Sequence, residues 1–116
     1  KKNFYRVCIK KKILMRAGET DRSMITEDKQ IENFCLKIKK YFRPYGNLDC
    51  DIIKDKKGNI YLIDLNPRFG GGYPASHESG FKFLNYLLEK NIKFPKKPIK
   101  KVVSKGISIF SKRLKK

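Results

Sequence analysis

The stretch Leu48–Gly72 constrains the fold of this chain more than any other, because it predicts a β-hairpin that ends in a stiff turn. Its halves, Leu48–Lys54 and Ile60–Asn66, are rich in Ile, Leu, Tyr and Cys, as paired strands are. The polar run Asp-Lys-Lys-Gly-Asn lies between them, with Gly58 available for a positive φ. Pro67 then fixes φ and ends the strand ladder.

The length of the hairpin loop predicts which side chains share a face. A loop of four residues, 56–59, predicts four cross-strand pairs: Asp55 with Ile60, Ile53 with Leu62, Asp51 with Asp64, and Asp49 with Asn66. Because strand side chains alternate between faces, the acids and Asn66 project from one side. Carboxylates directly opposite each other repel, and a hard cation such as Mg²⁺ would relieve that repulsion. The alternative is an exposed sheet face with unrelated acids, which a turn shifted by one residue would separate.

The hairpin also carries a family resemblance. The run YLIDLNPRFGGGYP, Tyr61–Pro74, resembles the C-terminal part of ATP-grasp ligases, most closely the carbamoyl-phosphate-synthase-like branch. That family has an acidic residue, one spacer and then Asn-Pro-Arg at the end of a strand. The segment LMRAGET, Leu14–Thr20, is similar to the segment that lies against the nucleotide in that family. The resemblance extends over roughly residues 3 to 90.

The resemblance implies an activity and a set of site residues. ATP-grasp ligases phosphorylate a carboxylate with ATP, and an amine, ammonia or a thiol then displaces phosphate from the acyl phosphate. Carried over residue by residue, it implies Mg²⁺ (or Mn²⁺) ligands at Asp51, Asp64 and Asn66, a catalytic and nucleotide-binding Arg68, and Arg16 near the nucleotide phosphates. Asp64 stands where most relatives have Glu, so its carboxylate is one methylene shorter, which puts bidentate bridging of two ions in doubt.

The resemblance also sets the expected architecture. It implies an α+β fold, an antiparallel β-sheet with two helices packed on one face, as in the C-terminal half of an ATP-grasp domain. We divide the chain into residues 1–95, the ATP-grasp part, and 96–116, a basic C-terminal extension with a possible edge strand. The family's adenine-binding hinge and phosphate-binding lysines lie before residue 1. We therefore expect a fragment that is inactive alone, whose partners are the missing N-terminal half, ATP and a small carboxylate substrate.

Local patterns predict the remaining elements. Phe4–Arg16 is extended, with a bend or an exposed strand end at Lys10–Lys12, and Glu19–Ser23 is a polar loop. Thr26 caps a helix, and a second helix runs from Glu78 to about Lys90. The buried stripe of the first helix comprises Ile31, Phe34, Cys35, Ile38, Tyr41 and Phe42.

Composition supplies the competing function. Lys and Arg number 29 against 11 acids, a formal net charge of +18 that attracts polyanions. The alternative to a ligase is therefore a small basic nucleic-acid-binding domain, although the aromatic residues fall at core spacings and a lysine-rich proteome also explains the charge. No apolar run reaches membrane-spanning length, and the three separated cysteines favour reduced thiols in a cytoplasmic protein. An exposed sheet edge would allow a homodimer.

Overall fold

The fold is that of an antiparallel α+β protein, which confirms the predicted class. The computed structural model describes residues 5–89 and 93–106. Within these residues the strands form one sheet of three strands and one of two, and there are three short helices. The elements in chain order are β1 Ile9–Arg16, β2 Glu19–Thr26, α1 Lys29–Phe42, β3 Asp49–Lys54, β4 Ile60–Asn66, α2 Tyr73–Glu78, α3 Phe83–Leu88 and β5 Val102–Ser104.

The first hairpin, β1–β2, differs from its prediction. β1 begins at Ile9 and continues through Lys10–Lys12, of which Lys11 and Lys12 are exposed, so the predicted bend is wrong and the alternative of an exposed strand end is confirmed. β2 occupies the segment predicted as a polar loop, so that prediction is wrong. The chain turns instead at Ala17 and Gly18, whose φ values of 49° and 78° are both positive, as a type I′ hairpin turn requires. The lysines are tolerated in β1 because it lies at the edge of its sheet, where charged side chains are common.

The segment after residue 95 is tied to β2. β5 pairs antiparallel with β2, giving the strand order β1-β2-β5. The backbone N–H of Ile25 donates to the carbonyl of Lys101 (2.9 Å), and that of Lys105 donates to the carbonyl of Asp21 (2.8 Å). The division of the chain at residue 95 stays a prediction, and the basic end, residues 107–116, lies outside the described residues, as do Phe4 and Lys90.

Helix α1 begins after Asp28, so the prediction of Thr26 as its cap is wrong. The Asp28 carboxylate accepts from the backbone N–H groups of Gln30 and Ile31, two donors that the first turn would otherwise leave unpaired. In the predicted buried stripe only Ile38 is fully buried, while Tyr41 and Phe42 remain 81% and 62% exposed. The periodic pattern predicts an amphipathic helix correctly, but it does not reveal how far the surface that covers the helix extends.

The second hairpin, β3–β4, has the predicted register at one end only. Asp51 lies opposite Asp64, and Asp49 opposite Asn66, as predicted. A register shift follows, and the ladder continues with Ile52 opposite Leu62, Ile53 opposite Tyr61 and Lys54 opposite Ile60. The predicted pairs of Asp55 with Ile60 and of Ile53 with Leu62 are therefore wrong.

The loop chemistry explains the shift. The Asp55 carboxylate accepts from the backbone N–H groups of Lys57 and Asn59 and from the Asn59 amide, which draws Asp55 into the turn. β4 is then one residue too long for β3, and the extra residue is accommodated as a bulge at Ile63. Ile63 and Tyr61 are both exposed.

The second helix, predicted from Glu78 to about Lys90, is shorter in the structure (α3, Phe83–Leu88), and a helix that was not predicted, α2, precedes it at Tyr73–Glu78. Gly80, with a φ of 90°, breaks the helical path between α2 and α3. Phe81 follows in the break and is 2% exposed, the most buried large side chain together with Ile25 among the described residues. Its ring lies 5.7 Å from that of Phe83 and 6.0 Å from that of Phe94, centroid to centroid. These contacts fix the helices at the end of the glycine-rich loop.

We expect Asp28→Ala to destabilise the protein by about 1 kcal/mol at neutral pH through loss of the cap. The hydrogen bond from Lys54, and then those from the backbone, lower the pKa of Asp28 below its ordinary value of 3.8. A lowered folded-state pKa contributes stability above the unfolded value, and that stability is lost as the pH falls through the folded pKa. Urea unfolding at pH 7 and pH 3 should therefore show a smaller acid-induced loss in the variant. Asp28→Asn, which keeps the acceptor without the charge, should fall between; equal stability of all three at pH 7 contradicts the capping role.

Candidate functional site

The acidic end of the β3–β4 hairpin brings the predicted metal ligands together. Asp51 lies directly opposite Asp64 in the ladder. Such pairs project from the same face with Cβ atoms about 4.5–5.5 Å apart. Asn66 lies two residues beyond Asp64 and therefore on the same face. The three oxygen-bearing side chains thus share one side of the hairpin, together with Asp49 opposite Asn66.

Asp64 and Asn66 are joined by a hydrogen bond. The amide Nδ2 of Asn66 donates to Asp64 Oδ2 at 2.6 Å, and the backbone N–H of Leu65 donates to Asp64 Oδ1 at 2.9 Å. This bond orients the Asn66 nitrogen toward Asp64, which directs its carbonyl oxygen elsewhere. Each carboxylate oxygen also has a second lone pair, so Asp64 retains capacity to coordinate an ion.

The donor set on this face is small. Among the described residues, no group of three or more His, Cys, Asp or Glu side chains is placed to hold a metal ion. The set here has two carboxylates and one amide oxygen, fewer than a site built by protein alone requires. Mg²⁺ is usually held by one or two carboxylates, with the remaining positions taken by water and substrate phosphates. Asp51 and Asp64 are ligands of that type, but the amide nitrogen of Asn66 faces Asp64 and the ammonium of Lys12 contacts Asp51, so the arrangement described here does not form such a site.

Lys10 and Lys12, for which the sequence predicts a bend or an exposed strand end, face this region from β1. Lys12 Nζ lies 2.9 Å from Asp51 Oδ2, and Lys10 Nζ donates to the Ser76 hydroxyl at 3.1 Å. Lys10 pairs with the buried Ile25 and Lys12 with the buried Ser23, so both project from the inner face of their sheet. The signal in the sequence was their spacing of two, which places alternate residues of a strand on one side.

The glycine run Gly70–Gly72 fits closely among these charged groups. A Cβ added to Gly70 would overlap the carboxylate of Asp49, and one added to Gly72 would approach Lys10 Cε to 3.3 Å. At Gly71 the nearest group is Lys105 Nζ, also at 3.3 Å, and Lys105 forms an ion pair with Glu19 (3.1 Å). The loop therefore lies between the acidic hairpin and the basic strand, where side chains would interfere.

Arg68 has a fixed backbone and a surface guanidinium. Its N–H donates to the Asn66 carbonyl (2.8 Å), and its carbonyl accepts from the Asn47 amide (2.9 Å). The guanidinium donates to the Phe69 carbonyl at 3.1 Å. Because a guanidinium has five N–H donors, this bond leaves others for an oxyanion. The structure thus places Arg68 two residues beyond Asn66, at the rim of the acidic face.

Arg16 lies apart from the other predicted residues. It is at the end of β1, where its guanidinium pairs with Asp21 at 3.3 Å. The ion pairs described for this part of the chain do not join it to Asp51, Asp64 or Arg68. Its cross-strand partner is Glu19, whose carboxylate lies beside Gly71.

The three cysteines are free thiols, and two of them have raised pKa values. Cys8, Cys35 and Cys50 are free, half-buried, and line a cavity of about 240 Å³ beneath Asp49 and Gly70. Burial raises the pKa of Cys35, and it raises that of Cys50 to about 11, so both thiols stay protonated at neutral pH. Since the thiolate is the nucleophile and the metal ligand, burial disfavours both roles for Cys35 and Cys50.

Comparisons with known proteins leave the family open. No model of a known protein family matches the chain. No curated protein matches its sequence either. Of the helices in the described ranges, none has the length and apolar character needed to cross a membrane.

We expect Gly70→Ala to destabilise the protein by about 1–3 kcal/mol, because its methyl group would force Asp49 or the loop to move. Gly46→Ala is the matched control, since a Cβ there meets nothing within 4 Å. Thermal unfolding of both variants checks the prediction. A Gly70→Ala protein as stable as Gly46→Ala would show that the loop does not approach Asp49.

Proposed function

We propose that this chain is part of an ATP-dependent carboxylate ligase of the ATP-grasp type, carbamoyl-phosphate-synthase-like, and that it binds Mg-ATP through the acidic end of the β3–β4 hairpin. The proposal rests on the resemblance carried by Asp64–Gly72. The observation that supports it most is the alignment of Asp51 opposite Asp64, with Asn66 hydrogen-bonded to Asp64. This arrangement supplies oxygen ligands on one face and leaves coordination positions for phosphate oxygens.

In the proposed reaction a substrate carboxylate oxygen attacks the γ-phosphorus of ATP, and ADP leaves. An amine, ammonia or a thiol then attacks the acyl carbon, and phosphate leaves with the electron pair of the broken C–O bond. When bound, Mg²⁺ would neutralise charge on the β- and γ-phosphates.

The chain's own groups would orient the ligands and neutralise their charge. Asp51, Asp64 and Asn66 would hold the ion, and Arg68 would donate to the phosphoryl oxygens as charge moves onto the leaving group. Arg16 would contact the nucleotide phosphates from the β1–β2 turn. Gly70 would let the loop backbone approach the ligand closely. We propose that turnover also needs a partner that supplies the adenine site, and that the enzyme acts in the cytoplasm.

We expect Asp64→Asn to weaken Mn²⁺ binding to the 116-residue chain by roughly tenfold or more, because it removes one of two anionic ligands while keeping the shape. Electron paramagnetic resonance of free Mn²⁺ measures this directly. Glu89→Gln removes the same charge from an exposed position outside the site and should leave the affinity nearly unchanged. Equal loss in both variants would mean that only net charge, and no site, attracts the ion.

One observation favours the second candidate, nucleic-acid binding. The aromatic residues Tyr41, Phe42 and Tyr45 lie exposed at the end of α1, beside Lys40 and Arg43. Exposed rings among cations are what single-stranded nucleic acid stacks upon. The expectation that the aromatic residues serve only the core is therefore wrong at this end of the helix, and the surface is a coherent alternative site for a polyanion.

If this second function holds, Phe42→Ala should weaken binding of single-stranded DNA by about fivefold or more, the scale of one lost stacking contact. Fluorescence anisotropy at two salt concentrations measures the affinity and its salt dependence. Tyr61→Ala is the control, because Tyr61 is also exposed but lies near Asp55 rather than a cation. Identical affinities of the two variants would leave charge alone as the source of binding.

A further inference from the structure

We propose that an acidic segment of a partner protein docks on a surface formed by the end of α1 and by α3. This α1–α3 surface comprises five exposed apolar or aromatic side chains: Phe42, Tyr45, Leu84, Leu87 and Leu88. The partner covers these side chains with apolar groups of its own, and its carboxylates pair with the cations beside them. Docking of this kind is independent of metal and nucleotide binding.

The leucines of α3 are exposed because an aromatic cluster occupies the other side of the helix. The ring of Phe94 lies 5.5 Å from that of Phe83 and 5.3 Å from that of Tyr86, centroid to centroid. Leucines at the i, i+3 and i+4 positions share the remaining side. Their exposed fractions are 42% for Leu84, 46% for Leu87 and 74% for Leu88. Exposed apolar side chains that adjoin one another in this way mark interaction sites.

A cavity of about 240 Å³ joins the two halves of the α1–α3 surface. Leu87 of α3 and Tyr45, which follows α1, both line this cavity. Phe42 lies one helical turn beyond Ile38, another residue of the cavity wall, so it continues the same face of α1. The exposed rings and leucines therefore border one concave region, into which an apolar side chain of a partner can insert as an anchor.

Cations without acidic partners lie beside these apolar groups. Lys39 and Lys40 are in the last turn of α1, and Arg43 is its C-cap. Among the described residues, none of the three forms an ion pair with a carboxylate. A partner segment that presents carboxylates next to apolar side chains would therefore match both parts of the surface, and the matching charges would select it over a neutral segment.

The leucines distinguish a protein partner from two other occupants. Single-stranded nucleic acid stacks on aromatic rings, whereas a leucine side chain offers neither a ring nor a hydrogen-bond donor. A second copy in a two-fold contact would bring the same cations against each other, and the net charge of +18 opposes that contact. An acidic protein segment removes the leucines from water and neutralises the cations at the same time.

The test measures binding of three fluorescent probes to the 116-residue chain by fluorescence anisotropy. The first is a synthetic peptide of leucine and glutamate, the second has serine for each leucine at the same charge, and the third is single-stranded DNA. We expect the leucine–glutamate peptide to bind more tightly than the serine–glutamate peptide. Leu88→Ser should weaken binding of the leucine–glutamate peptide by roughly fivefold or more. Ile63→Ser, which removes an exposed apolar side chain from β4, should leave its affinity unchanged.

A second pair of variants tests the cations. Arg43→Gln should weaken binding of the leucine–glutamate peptide by about two- to fivefold, the scale of one exposed ion pair. Lys11→Gln removes the same charge from an exposed position on β1 and should have no such effect. Circular dichroism of each variant confirms that the fold is retained. The proposed docking is supported when both Leu88→Ser and Arg43→Gln weaken binding and both controls do not.

Three results would overturn the proposed docking. Equal affinity of Leu88→Ser and Ile63→Ser for the leucine–glutamate peptide would leave net charge as the only attraction. Single-stranded DNA that displaces the peptide and binds more tightly than it would assign the surface to nucleic acid. A dimer in sedimentation equilibrium that Leu88→Ser dissociates would assign the surface to a second copy of the chain.

Discussion

Two carboxylates held directly opposite each other in an antiparallel ladder are the constraint on which this structure depends. Asp51 and Asp64 repel across the hairpin, and the surrounding elements offset that repulsion. Lys12 reaches Asp51 from a separate sheet, while Asn66 and the backbone of Leu65 donate to Asp64. The contacts between the two sheets are thus partly electrostatic.

The positions of individual lysines are more informative than the net charge of the chain. A formal charge of +18 suggests a general attraction for polyanions, yet individual lysines have distinct positions. Lys10 and Lys12 turn inward toward the acids and the glycine run, whereas Lys11 faces the other side of the sheet. Lys105, beyond β5, joins the same region by pairing with Glu19 beside Gly71. The position of a lysine on a strand face, rather than the number of lysines in the chain, decides whether it contacts other groups of the protein.

The sequence predicted what depends on local patterns and missed what depends on tertiary contacts. The strand composition around the Asp55 turn predicted the hairpin and its acidic register, because an alternating pattern and a polar loop are local properties. The bulge at Ile63 was missed, since it follows from how Asp55 folds into its own turn. β2 was missed because its first residues are polar and only pairing with β1 makes them a strand. The metal-ligand set remains a prediction; its shared face was predictable, but the approach of Lys12 required the second sheet.

The bulge in β4 has a consequence for how this hairpin tolerates change. It separates the two ends of the ladder, so that the turn around Asp55 and the pair formed by Asp51 and Asp64 keep independent alignments. If the connecting loop is shortened by one residue, the bulge can take up the change, and Asp51 and Asp64 stay on the same face of the hairpin. A change of length at the tip is therefore kept separate from the alignment of Asp51 with Asp64 at the base.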